Sequence, residues 1–151
     1  MIRLSVLVLC ALTALPALAD KKTPEVYELN WMDRRFMKDQ KLTIDDIARL
    51  KLGTQVRDER SDLALLQRII HKGLIKKDDR LKLQAMGVVF GNVLAKELEV
   101  PWVIYEDAHG RSRAICVPDK LDCIFPMTML SRRMEVGLLP NVQEIYDEAF
   151  D

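Results

Sequence analysis

Between Val26 and Leu52, apolar side chains recur at three- and four-residue steps: Leu29, Met32 and Phe36, then Ile44 and Ile47. Charged residues fill much of the opposite face, so the pattern predicts an amphipathic helix. Thr23-Pro24 reads as its start, with a hydroxyl at the N-cap and proline at the first helical position. Thr43, with Asp46 behind it, offers a second cap and an alternative break near Leu42. Gly53 supplies a left-handed terminus. Ser61-Asp62 opens the next helix, striped by Leu63, Leu66 and Ile70 and closed by Gly73. After Lys76-Lys77-Asp78-Asp79, a longer helix from Arg80 to Leu98 carries Leu83, Met86, Val89, Phe90, Val93 and Leu94. So wide a band marks a central core helix.

Pro101 changes the period. Trp102 to Glu106 is aromatic and β-branched, Asp107-Ala108-His109-Gly110 is a turn, and Arg113 to Val117 is the returning strand. Pro118-Asp119-Lys120 is a second turn, and Cys123-Ile124-Phe125 a short third strand. Pro126 stops that strand and begins a helix through Val136, with Gly137 as its cap. Val142 to Phe150 forms a last short helix carrying Ile145, Tyr146 and Phe150. The predicted class is α+β: three N-terminal helices, a small three-stranded antiparallel meander, and two C-terminal helices, with the sheet on the central helix.

The N-terminus changes the setting. Arg3, an apolar run from Leu4 to Leu12, and Ala17-Leu18-Ala19 before Asp20 have the form of a secretory signal peptide, too short to anchor in a bilayer. Leu9 before Cys10 is wrong for a lipoprotein site. The expectation is a periplasmic protein that starts at Asp20. Residues 1–19 form the leader. Residues 20–60 form a helical region that joins residues 61–151 in one globular domain. Lys and Arg total 23 against 23 Asp and Glu, and losing Arg3 barely moves that balance. Without a basic block, neither nucleic acid nor an anionic membrane surface is an expected partner.

Of three cysteines, Cys10 leaves with the leader. If Val117 pairs with Asp122, Cys116 faces Cys123 across the second hairpin, a position suited to a structural disulfide in an oxidising compartment. Two buried free thiols are the alternative. Redox chemistry would prefer a Cys-x-x-Cys near a helix N-terminus. Gly87-x-x-x-Gly91 puts two glycines on one face of the central helix, where another backbone can approach closely. His71 and His109 belong to no metal or nucleophile spacing and read as capping or solvated groups. Met127-x-Met129, with Met32, Met37, Met86 and Met134, resembles copper-binding thioether patterns, but methionine at helical spacing is ordinarily core filler. Scattered acids such as Asp33, Asp45, Asp46, Asp58, Asp62, Asp78 and Asp79 read as surface. Arg111, Arg113, Arg132 and Arg133 form a candidate partner-binding patch if the helix after Pro126 lies against the hairpin. The alternative pairs them with Glu106, Asp107 and Glu135.

Three segments together resemble the DUF3806 family, a bacterial domain of unknown function: Ser61 to Arg68; Leu83 to Gly91 continuing through Trp102 to Asp107; and Phe125-Pro126 through Ser131-Arg132-Arg133-Met134-Glu135-Val136-Gly137. The resemblance implies the same order of elements and carries over no catalytic residue. A helix with spaced glycines, a Trp-led strand, then Phe-Pro and a basic helix also looks like some small immunity proteins of bacterial competition systems.

No Gly-rich phosphate loop, nucleophile elbow, metal cluster or triad is visible, which argues against an enzyme and implies no cofactor. The sequence points to an exported module that binds another macromolecule, an immunity-like toxin inhibitor being one form. A small-ligand or cell-wall-fragment binder is the alternative.

Overall fold

The computed structural model describes residues 23–118 and 122–150. The expected leader at 1–19 and most of the turn at Pro118-Asp119-Lys120 lie outside those residues. The class is α+β, with a four-stranded antiparallel sheet in the order β1-β2-β3-β4 rather than the three strands expected.

The added strand is β1, Glu25–Glu28, which pairs with the outer edge of β2, Trp102–Asp107. Thr23-Pro24 therefore does not start a helix. Val26 and Tyr27 favour extended backbone, and a partner nearly eighty residues away supplies the hydrogen bonds. The first helix, α1, runs Trp31–Leu52. Its cap is Asn30, whose side chain accepts from the Asp33 N–H while Asp33 accepts from the Asn30 N–H, a reciprocal capping box. No break occurs near Leu42. The Thr43 hydroxyl donates back to the Asp39 carbonyl at 3.0 Å, a bond made inside a continuous helix and not at a cap. Gly53 ends α1 at φ +62°.

The next helices are α2, Ser61–His71, and α3, Arg80–Glu97. Ten residues of α3 are buried, from Leu83 and Ala85 to Leu94, which makes it the axis of the core. Its Leu83, Met86 and Phe90 share one buried cluster with Leu66 and Ile69 of α2 and with Ile115. The glycines of α3 explain how closely its neighbours approach. A methyl group on Gly87 would overlap Met127 Cα and the Pro126 carbonyl, and one on Gly91 would overlap the Trp102 ring. The Trp102 indole N–H then donates to Asn92 at 3.0 Å, Asn92 donates to Asp58 at 2.9 Å, and Asp58 pairs with Lys41 of α1.

β3 is Gly110–Val117 and β4 is Asp122–Ile124. Phe125 lies just past β4. The expected single helix from Pro126 to Val136 is two, α4 (Pro126–Met129) and α5 (Ser131–Glu135), broken at the fully buried Leu130. The last helix, α6, spans Val142–Glu148 and is capped by Asn141. No helix among the described residues is long and apolar enough to cross a membrane.

Candidate functional site

Cys116 and Cys123 are directly opposite in the β3–β4 register, with Val117 opposite Asp122, and the two are joined in a disulfide with Cα atoms 4.1 Å apart. The bond ties β4 to β3 where the chain is about to leave the sheet for α4.

Beyond that bond, β3 carries the first two arginines of the candidate patch. Arg111 and Arg113 alternate to the same face of the strand, and both reach Asp33 in the first turn of α1. Arg111 forms a two-pronged pair, Nη1 to Oδ1 at 3.1 Å and Nη2 to Oδ2 at 2.5 Å; Arg113 Nη2 lies 2.9 Å from Oδ1. Asp33 is only 2% exposed, so it is not the surface acid its sequence context suggests. The hydrogen bonds from Arg111 hold its carboxyl below the usual range, against burial acting the other way. Asp33 in turn holds the Arg111 guanidinium more firmly charged. Arg113 also stacks its guanidinium 4.3 Å from the centre of the Phe36 ring. Its Nε is buried without a hydrogen-bond partner.

The other two arginines come from α5. Arg132 lines one cleft with Arg111, Ser112 and Arg113 of β3, Gln84 of α3, and Phe125, Met127 and Thr128. The cleft holds about 230 Å³ and is open to solvent on one side. Arg132 is exposed and makes no hydrogen bond or ion pair among the described residues. Arg133 points elsewhere, donating to the Met129 carbonyl at 2.6 Å. Arg132 and Arg133 do share a shallow depression with Cys123, Met129 and Glu148. Glu135 pairs with Arg80 at 3.5 Å and not with the arginine patch, whereas Glu106 stands opposite Arg111 across the β2–β3 ladder.

The remaining candidates have structural surroundings. Met37, Met86 and Met134 are buried in the core. His71 is within hydrogen-bond distance of Gln67 on α2, and His109 is exposed in the β2–β3 turn. Among the described residues no group of three His, Cys, Asp or Glu side chains is placed to hold a metal. Asp62, also read as surface, is 1% exposed. It accepts from the backbone N–H groups of Arg57, Asp58 and Glu59, and burial pushes its carboxyl above the ordinary value. The residue that sequence reasoning missed is therefore Asp33. Its signal was the spacing Asn30-x-x-Asp33 ahead of an apolar run, which marks a helix start.

The model of a domain of unknown function, DUF3806, matches residues 62–146, more than half of the chain. The chain belongs to the DUF3806 family. The match begins at Asp62 and takes in the glycine helix, the meander and the arginine helix, while β1 and α1, which bring Asp33, lie before it. A crystal structure from Bacteroides thetaiotaomicron VPI-5482 at 1.50 Å resolution is similar to this DUF3806 protein over 89% of the chain, with a TM-score of 0.78 and 18% identity. The chain spans 50% of the length of that structure. At this identity the likeness is one of fold. No curated protein matches the chain.

Proposed function

We propose that this DUF3806 protein is an exported, periplasmic, non-enzymatic module that binds another macromolecule through the cleft between β3 and α4–α5. An immunity-like inhibitor of an exported toxin is one concrete form of that reading. The observation that carries it is the convergence of Arg111, Arg113 and Arg132, from two separate elements, on one solvent-open cleft. At about 230 Å³ the cleft is smaller than the roughly 300–1,000 Å³ of pockets that enclose small organic ligands, so it suits a group projecting from something larger. Val136, Leu138 and Leu139, exposed in the α5–α6 connection, add the kind of apolar surface that favours a protein partner. The second reading, a binder of small ligands or cell-wall fragments, is supported by Gln84, Ser112 and Thr128, whose polar groups line the same cleft.

The four arginines divide into two roles. Arg111 and Arg113 hold buried Asp33, so changing them disturbs the fold. Arg132 and Arg133 are exposed, so reversing their charge should alter stability by no more than about 0.5 kcal/mol. Affinity capture from the periplasm with the tagged protein should therefore lose its partner on Arg132→Glu with Arg133→Glu, while the unfolding temperature hardly moves. Capture that survives the double change removes this face from consideration.

A further inference from the structure

β3 is longer than its neighbour on one side. β4 pairs only with Ile115, Cys116 and Val117, after which the chain turns away at Phe125 into α4. The outer edge of residues 110–114 is thus left without a strand, and since Ala114 is fully buried, the part open to solvent is residues 110–113. In an antiparallel ladder alternate residues turn their N–H and C=O groups to the same side, so part of this backbone faces the missing neighbour. Among the described residues no loop or turn backbone closes it by hydrogen bonds. An open edge of this kind is a template for a further strand. At about 3.4 Å per residue, the three residues from Arg111 to Arg113 offer roughly 10 Å of it.

The charges along this edge select what can pair there. Arg111 and Arg113 share Asp33, Glu106 stands opposite Arg111, and Arg132 on the far wall makes no ion pair among the described residues. Three guanidinium groups face two carboxylates, which leaves one positive charge to be met. A cationic edge repels cationic strands and leaves a neutral one nothing to offer Arg132, so it discriminates in favour of an acidic one. We propose that the open edge of β3 receives an extended peptide segment bearing a carboxylate, its backbone adding as a strand beside residues 110–113 and its carboxylate meeting Arg132 in the cleft. This rests on the binding role of the same cleft and names the chemistry of the partner. An inorganic anion alone would leave the strand edge unpaired, which is why the geometry favours a peptide.

The test is selection from a displayed random heptapeptide library on the folded protein with its disulfide intact. Enriched sequences are expected to carry Asp or Glu within a β-forming run. A synthetic copy of the most enriched peptide should lose at least tenfold in affinity when its acid becomes the amide, and likewise against Arg132→Glu protein. N-methylation of alternate peptide amides should abolish binding in one register and spare it in the other, a signature of strand pairing that needs no change in the protein. Enrichment without acids, indifference to both N-methyl registers, or binding unaffected by Arg132→Glu overturns the proposal. So does sedimentation showing Arg132-dependent self-association, which would make a second copy the occupant. No enrichment, with periplasmic capture still dependent on Arg132, overturns strand addition and leaves the broader binding role standing. Capture indifferent to Arg132 overturns both.

Discussion

At Asp33, one carboxylate joins the first turn of α1 to two arginines of β3, and its titration should be visible in the stability of the whole protein. A carboxyl whose native value lies below its unfolded one stabilises the fold above about pH 3.9, and that contribution fades as pH falls through the lower native value. Asp62 has the opposite sign. Burial raises it, so its ionisation opposes folding at neutral pH and the opposition is relieved as pH falls through the raised value. Breaking a fully buried pair costs about 3–5 kcal/mol, but Arg111 is 41% exposed, and solvent screening lowers the figure. Asp33→Asn should therefore cost roughly 2–3 kcal/mol at pH 7. The difference from the unchanged protein should shrink below about pH 4, where the unfolded carboxyl takes up its proton first, and level off below the lower native value. Urea unfolding at several pH values measures this; a gap constant down to pH 3 would mean that Asp33 is not the linked group. None of this was legible from the sequence, because the arginines that bury Asp33 follow it by 78 and 80 positions. Local context showed at most the helix start marked by Asn30-x-x-Asp33, not the burial of its acid.

Among the elements, those with a strong local pattern were read correctly and those completed by distant partners were not. The apolar band of α3, the start of α2 at Ser61 and the turn at Gly110 follow from nearby residues alone. β1 does not, since four exposed residues become a strand only beside β2. The Cys116–Cys123 register was legible because a short turn leaves two facing strands little choice. In the chain-entropy account, closing this eight-residue loop restricts the unfolded chain by roughly 2.5 kcal/mol. Unfolding under dithiothreitol should show a loss of that order, and thiol titration of unfolded, unreduced protein should find no free thiol at these positions. Two reactive thiols there would contradict the bond. In α3, alanine at Gly87 or Gly91 would gain about 1 kcal/mol of helix propensity, yet overpacking costs about 1–3 kcal/mol. Both changes should lower the urea midpoint, Gly87→Ala the more, because it meets the Met127 and Pro126 backbone while Gly91 meets side chains. A midpoint that rises would show that α4 can withdraw from α3 at little cost.

For the whole molecule, the periplasmic location we propose rests on residues 1–19 acting as a cleaved leader, and mature protein recovered from its host is predicted to begin at Asp20. Intact mass showing residues 1–19 retained, or a lipid on Cys10, would overturn export by cleavage. The α+β class could be read ahead of the structure because long helices and a β-rich stretch are separated along the chain. The composition of the cleft could not, since Gln84, Arg111 and Arg132 come from three elements whose mutual placement depends on core packing. That placement has one more consequence. Trp102 and Pro126 bracket the β2–β4 meander, and both rest on the same turn of α3, at Gly91 and Gly87. The meander is thus a handle riveted at both ends to a single short stretch of helix, and its exposed tip at Ala108 and His109 lies away from both rivets. Chain added at that tip lengthens the handle without prying the rivets apart, so the reach of this surface can be remodelled while the body beneath keeps its shape.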